Sequence, residues 1–128
     1  MKIDHLAIRT EDLDLLRRFY MKYFDAECGE MYVNNSKKFS SYFLTFGKGG
    51  TRIKLMHTPD IENRPENGNL RGLAHFAISV GEKDIVDSLT KKLREDGYPV
   101  LSNPRHTGDG YYESIVSDPE GNRIEITI

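Results

Sequence analysis

Leu73-Ala74-His75-Phe76-Ala77-Ile78 restates Ile3-Asp4-His5-Leu6-Ala7-Ile8 when the two histidines are aligned, and that pairing decides how the remainder of the chain is read. Self-similarity between distant segments signals one structural unit used twice. Each copy is followed by a turn and then by apolar residues at helical spacing. Leu13, Leu16, Tyr20 and Tyr23 form the stripe of a first helix, with Thr10 placed as its cap and Glu11 and Asp12 beside its positive end. Ile85, Val86, Leu89 and Leu93 form the stripe of a second, and Gly97 suits the left-handed residue that stops a helix.

The closing segments of the two halves match as well. Gly50-Thr51-Arg52-Ile53-Lys54-Leu55 aligns with Gly121-Asn122-Arg123-Ile124-Glu125-Ile126, which sets Lys54 where Glu125 stands. Before each comes a strand-like run, Ser41 to Phe46 or Tyr112 to Ser117, then a turn, Gly47-Lys48-Gly49-Gly50 or Asp118-Pro119-Glu120-Gly121. Both combinations predict hairpins. A strand, a helix and about three strands, twice over, is an α+β plan: two βαβββ modules forming curved mixed β-sheets with helices outside. Module one covers about 1–58 and module two about 72–128, within a single domain. The polar stretch 59–71, with Pro59, Pro65 and Gly68, reads as the linker, and Glu62 to Glu66 as its solvated part.

A chain of 128 residues suits one domain with a substantial core. Eighteen basic against 20 acidic residues leave a net charge of −2, which gives no electrostatic footing for nucleic acid or an anionic membrane. No apolar run is long enough to cross a bilayer and the N-terminus lacks the pattern of a secretory signal, so the expected location is cytoplasmic. The single cysteine, Cys28, has no internal partner and reads as a packing residue.

Strand alternation sends successive side chains to opposite faces. Leu6 and Ile8 go one way and His5 the other; Phe76, Ile78 and Val80 form one row while His75 lies opposite with Leu73 and Ala77. Along the last strand Ile124, Ile126 and Ile128 form an apolar row and Glu125 falls on the reverse side. Two imidazoles and a carboxylate thus project away from the helix-covered rows. Singly, each reads as a half-exposed residue satisfied by water. Together they supply the nitrogen and oxygen set that Zn²⁺, Ni²⁺, Mn²⁺ or Fe²⁺ accepts.

The two module-initial histidines and the ending Asp118-Pro119-Glu120-Gly121-Asn122-Arg123-Ile124-Glu125 resemble the paired-module pattern of the vicinal-oxygen-chelate superfamily, which unites glyoxalase, bleomycin-resistance and extradiol-dioxygenase proteins. The resemblance covers nearly the whole chain. It implies a cupped site, a divalent metal, a small-molecule substrate and a homodimer. Glyoxalase I-like members take one ligand from the first and one from the last strand of each module, which carries over to His5, Lys54, His75 and Glu125. Lys54 breaks the pattern, because an ammonium has no lone pair and repels a cation. At about 4 Å and an effective dielectric near 20 that repulsion is at most about 8 kcal/mol. Either Lys54 turns away or loses its proton, leaving His5, His75 and Glu125 as the metal ligands, or it pairs with Glu125 and replaces the metal.

The resemblance implies a glyoxalase-like, metal-dependent lyase or isomerase acting on a small oxygen-bearing metabolite or its thiol adduct, with Glu125 as the catalytic base. The lysine argues against lactoylglutathione lyase activity itself. Arg9 matches a position that family members use to hold an anionic conjugate, against the reading as an exposed arginine at a strand end. Lys54 and Tyr112 join Arg9 as candidate substrate-binding residues, and Tyr112 and Glu113 are the residues of their strand nearest a substrate. A His/His/Glu triad alternatively resembles extradiol dioxygenases. A third reading is a metal-free binder of the bleomycin-resistance type, with Tyr32, Phe39, Tyr42, Tyr111 and Tyr112 available to line a pocket. His57 needs a bulge to act as a ligand, and the loop around His106 reads as a hairpin connection or a gate.

Overall fold

The computed structural model describes residues 2–62 and 71–128; the expected linker, with Glu62 to Glu66 and Gly68, therefore lies largely outside the described residues. The chain divides into two compact units, Met1–Pro65 and Glu66–Ile128. Each is built on the same plan. In module one, β1 (His5–Arg9) leads to α1 (Leu13–Phe24), followed by β2 (Glu27–Cys28), β3 (Tyr32–Asn34), β4 (Phe39–Thr45) and β5 (Arg52–His57). In module two, β6 (Phe76–Ser79) leads to α2 (Lys83–Glu95), then β7 (Val100–His106), β8 (Tyr112–Ser117) and β9 (Arg123–Thr127).

The sheets share an order. Module one runs β1-β5-β4-β2 with β3 also on β4, and module two runs β6-β9-β8-β7. In both, the first strand lies parallel to the last, and the last two form an antiparallel hairpin. A parallel neighbour cannot be reached by a tight turn, so a helix must carry the chain across. The same order in both units gives the α+β fold with two mixed sheets.

The helices form where the apolar stripes require them. Leu13, Leu16, Phe19, Tyr20 and Tyr23 of α1 are buried against Ile8, Tyr42, Leu44, Ile53 and Leu55. Four of these, Leu16, Tyr20, Leu44 and Leu55, have no exposed surface, and complete burial of a large apolar side chain stabilises by about 1.5–3 kcal/mol. The cap differs from the expected one. Asp12 caps α1 by accepting from the Leu15 amide at 2.8 Å, whereas Thr10, fully buried, accepts from the Asp12 amide at 3.1 Å and fixes the turn one step earlier.

The α2 stripe is also shifted. Val86 and Leu93 are buried as expected, but Ile85 is exposed, Leu89 is half-buried and Thr90 is inside. Thr90 is tolerated because its hydroxyl meets the Val86 carbonyl and Ser114 Oγ, each at 2.6 Å, so that hydroxyl is not buried without a partner. Ile128 leaves the apolar row of β9 and is exposed, since it lies beyond the last ladder pair, Ser79 with Thr127.

Candidate active site

Cross-strand partners share a sheet face, so the register of module two assembles its open face directly. Glu125 is flanked by Ala77 on β6 and Ile115 on β8, and Glu113 is opposite Thr127. Val116, Ile124 and Ile126 occupy the other face with α2 and have no exposed surface. On the open face His75, Ala77, Asp109, Tyr111, Glu113, Glu125 and Thr127 line a cleft of about 360 Å³. His75 lies just before β6, and its Nε2 is 3.2 Å from Glu125 Oε2. Glu125 is the more enclosed partner, 16% exposed against 45% for the imidazole. The pair therefore has a carboxylate held within the wall and an imidazole at the mouth.

Glu113 is the second carboxylate of this face and is buried. Burial pushes its pKa above the ordinary carboxylate value, the Glu125 and Asp109 charges push the same way, and Arg105 and His75 partly oppose them. Arg105 approaches only to 3.8 Å, with its side chain half exposed, so water weakens the compensation. Tyr112, its neighbour, is turned to the helix. The Tyr112 hydroxyl donates to Asp87 Oδ1 at 2.6 Å, and that bond raises the phenol pKa because ionisation would set two negative charges together. His106 packs against the Tyr112 ring at 4.8 Å and Lys83 Nζ lies 4.5 Å above it. Of the two residues expected near a substrate, Glu113 thus lines the cleft and Tyr112 braces α2. Alternation announced that they would part, but Tyr112-Ser114-Val116 and Glu113-Ile115-Ser117 are equally mixed rows and do not say which is covered.

Module one presents different chemistry at the corresponding places. His5 Nδ1 is 2.9 Å from Asp4 Oδ2, and its ring stands edge-on to Phe43 at 5.3 Å. Arg52 shares Asp4 at 2.5 Å and stacks over Phe43 at 4.4 Å. These two contacts hold the Asp4 carboxyl below its usual pKa, with the His5 bond the larger cause. Lys54 is flanked by Ala7 and Phe43 in the ladder, and its ammonium lies 5.5 Å from the Phe39 ring and 5.3 Å from the Phe43 ring. Arg9 donates to Thr58 Oγ1 at 3.3 Å, and His57 Nδ1 is engaged by the Thr10 carbonyl at 3.0 Å. Of the other aromatic candidates, Tyr32 is exposed near Phe39, while Tyr42 is buried on the α1 side, 3.5 Å from Asp14. Among the described residues no three or more His, Cys, Asp or Glu side chains gather as a metal centre; the assembled unit is the His75–Glu125 pair. Nor is any helix among them long and apolar enough to cross a membrane.

Known proteins share this architecture. The chain is similar to glyoxalase I from Zea mays, at 21% identity and a TM-score of 0.80, covering 98% of this chain but only 44% of the maize enzyme. It is also similar to the trypanothione-dependent glyoxalase I of Leishmania major, at 22% identity and a TM-score of 0.77 over 99% of this chain and 86% of that one. At such identities the likeness establishes the fold. A possible glyoxalase from Bacillus cereus shares 26% identity at a TM-score of 0.72, covering 100% of this chain and 99% of the other. A curated relative, the uncharacterized protein YqjT of Bacillus subtilis (strain 168), is 31% identical over 126 residues, 95% of this chain and 94% of its own length. The family model for these proteins matches residues 2–126, and the chain belongs to the Glyoxalase/Bleomycin resistance protein/Dioxygenase superfamily.

Proposed function

We propose that the protein is a glyoxalase-like, metal-dependent lyase or isomerase acting on a small oxygen-bearing metabolite or its thiol adduct. The observation that carries this reading is the His75–Glu125 pair, 3.2 Å apart on one face of a cleft that also holds Glu113. An imidazole nitrogen beside a carboxylate oxygen is a donor set that fits a first-row divalent ion. In this reading His75 and Glu125 would hold the ion, which would supply Lewis acidity toward a substrate oxygen.

The proton work belongs to the chain. Glu125, anchored on β9 and largely enclosed, takes a proton from the carbon next to a carbonyl and returns it to the adjacent carbon. A positioned carboxylate of this kind contributes about 10²–10⁴-fold to rate. His75 fixes the direction of the Glu125 carboxylate, whose side chain is largely enclosed in the wall of the cleft.

Metal analysis of protein purified without chelator tests the reading. Near one equivalent of Ni²⁺, Zn²⁺, Mn²⁺ or Fe²⁺ is expected after reconstitution, falling severalfold in Glu125→Gln and in His75→Ala. Fewer than about 0.1 equivalents of each metal in the reconstituted wild type would sink it. Methylglyoxal–thiol adducts form the first substrate panel, with proton transfer followed by deuterium incorporation from solvent. Exchange that persists in Glu125→Gln would remove Glu125 from the role of base.

A further inference from the structure

The open face of module one concentrates positive charge around aromatic rings. β5 lies between β1 and β4, and its outward row holds Arg52 and Lys54. Arg52 pairs with the Asp4 carboxylate, which His5 Nδ1 also meets, so the Arg52 charge is answered. Lys54 is not answered in this way. Its ammonium rests over Phe39 and Phe43, and among the described residues it has no carboxylate partner. Ring faces attract a cation without cancelling its charge, so the field of Lys54 stays directed outward.

The surroundings of the lysine are shaped as well as charged. It is half-buried, which restricts its long side chain, and its ladder neighbours are the large Phe43 on one side and the small Ala7 on the other. Ala7 is small and exposed, and the Phe39 and Phe43 rings beside the ammonium provide an apolar wall. A group that brought a negative charge to Lys54 would set its remaining body against Phe39 and Phe43.

We infer that this face is a binding site for a small organic anion, a carboxylate or phosphate ester with a flat apolar body, whose charged group meets Lys54 and whose body lies against Phe39 and Phe43. The inference is independent of a metal in module two. It is tested with metal-stripped protein in Tris chloride by titrating benzoate, phenyl phosphate, inorganic phosphate and uncharged benzyl alcohol, followed by calorimetry and by amide chemical shifts of β1, β4 and β5. Benzoate or phenyl phosphate is expected to bind with a Kd of about 1 mM or tighter, with benzyl alcohol about tenfold weaker or undetectable. Lys54→Met should weaken the anion about tenfold, Lys54→Arg should retain most of the affinity, and Phe43→Leu should weaken the aromatic anion about threefold while leaving inorganic phosphate unchanged. Stronger binding of phenyl phosphate than of benzoate assigns the site to phosphate esters, and the reverse assigns it to carboxylates. Unchanged thermal unfolding of the variants keeps loss of binding from being loss of fold. Binding of benzyl alcohol equal to that of benzoate, equal affinity in Lys54→Met, or no wild-type binding at about 10 mM ligand would each overturn the inference, and none of these results bears on metal content.

Discussion

The two modules share a strand order and a register, yet their open faces carry opposite chemistry. At matching positions module one has His5, Ser41, Phe43 and Lys54, and module two has His75, Glu113, Ile115 and Glu125. In one, the histidine leans on a phenyl ring and on Asp4; in the other, it meets the carboxylate of Glu125. The helix-facing rows, by contrast, are interchangeable, with Ile53 and Leu55 answering Ile124 and Ile126, all essentially buried. Packing holds the repeat in common because both sheets must cover a helix. The open face is under no such constraint and is where the two halves part.

The largest test of that difference is Lys54→Glu, which makes module one match module two at this position. It replaces an ammonium, which repels a cation, by a carboxylate beside Phe43 on the open face of module one. Divalent-ion affinity is expected to rise about 100-fold, measured by calorimetry with Ni²⁺. An unchanged affinity would mean that the charge of Lys54 does not govern divalent-ion binding.

The helix stops offer a second test. Both helices end on a left-handed residue, but α2 uses Gly97 at φ 88° and α1 uses Asp25 at φ 50°. After α2, the Tyr98 amide reaches the Leu93 carbonyl at 2.9 Å and the Gly97 amide reaches Arg94 at 3.0 Å, the paired bonds of a Schellman stop. After α1, the Ala26 amide reaches Tyr20 at 3.3 Å. A side chain in this backbone region costs about 1–2 kcal/mol, somewhat less for Asp. Gly97→Ala should therefore lose about 1 kcal/mol, purely conformational because nothing lies within 4 Å of an added Cβ. Asp25→Gly should gain up to about 1 kcal/mol, with some help from removing an acid at a negative helix end. Opposite-signed shifts of the unfolding midpoint are the expected result; shifts of one sign would show that the two stops are not equivalent.

How much of this was legible follows from which interactions are periodic. The paired His5 and His75 segments, the two stripes and the matched endings all repeat at the spacing of strands and helices, and they gave the modules and their hairpins. Alternation also placed His5, His75 and Glu125 away from the buried rows. It could not pair His75 with Glu125, because that contact depends on where β6 lies beside β9 and on a rotamer. Nor could it choose between Tyr112 and Glu113, whose rows are both mixed in polarity. Thr90 was invisible as a core residue because its burial depends on Ser114, far away in sequence. Lys54 was visible as the break in the pattern, but its resting place over Phe39 and Phe43 was not, since both strand register and side-chain direction decide it.

The smallest expected effect concerns Glu113, whose counterpart in module one is the uncharged and also buried Ser41. Burial and the neighbouring carboxylates hold the folded pKa of Glu113 above the ordinary 4.5. A folded carboxyl that keeps its proton to higher pH than the unfolded chain binds more protons in the native state, so stability falls as pH rises from about 4.5 through the raised value. Above that window the cost is constant. Glu113→Gln removes the titrating group while keeping its size, so in metal-stripped protein it should raise the unfolding midpoint by roughly 2–4 °C at neutral pH, with the gain shrinking toward zero at about pH 4. A loss at neutral pH would mean that Arg105, 3.8 Å away, stabilises the carboxylate more than its enclosure penalises it. The open face of module two would then be a satisfied ion network, and only module one would carry charge in want of a partner.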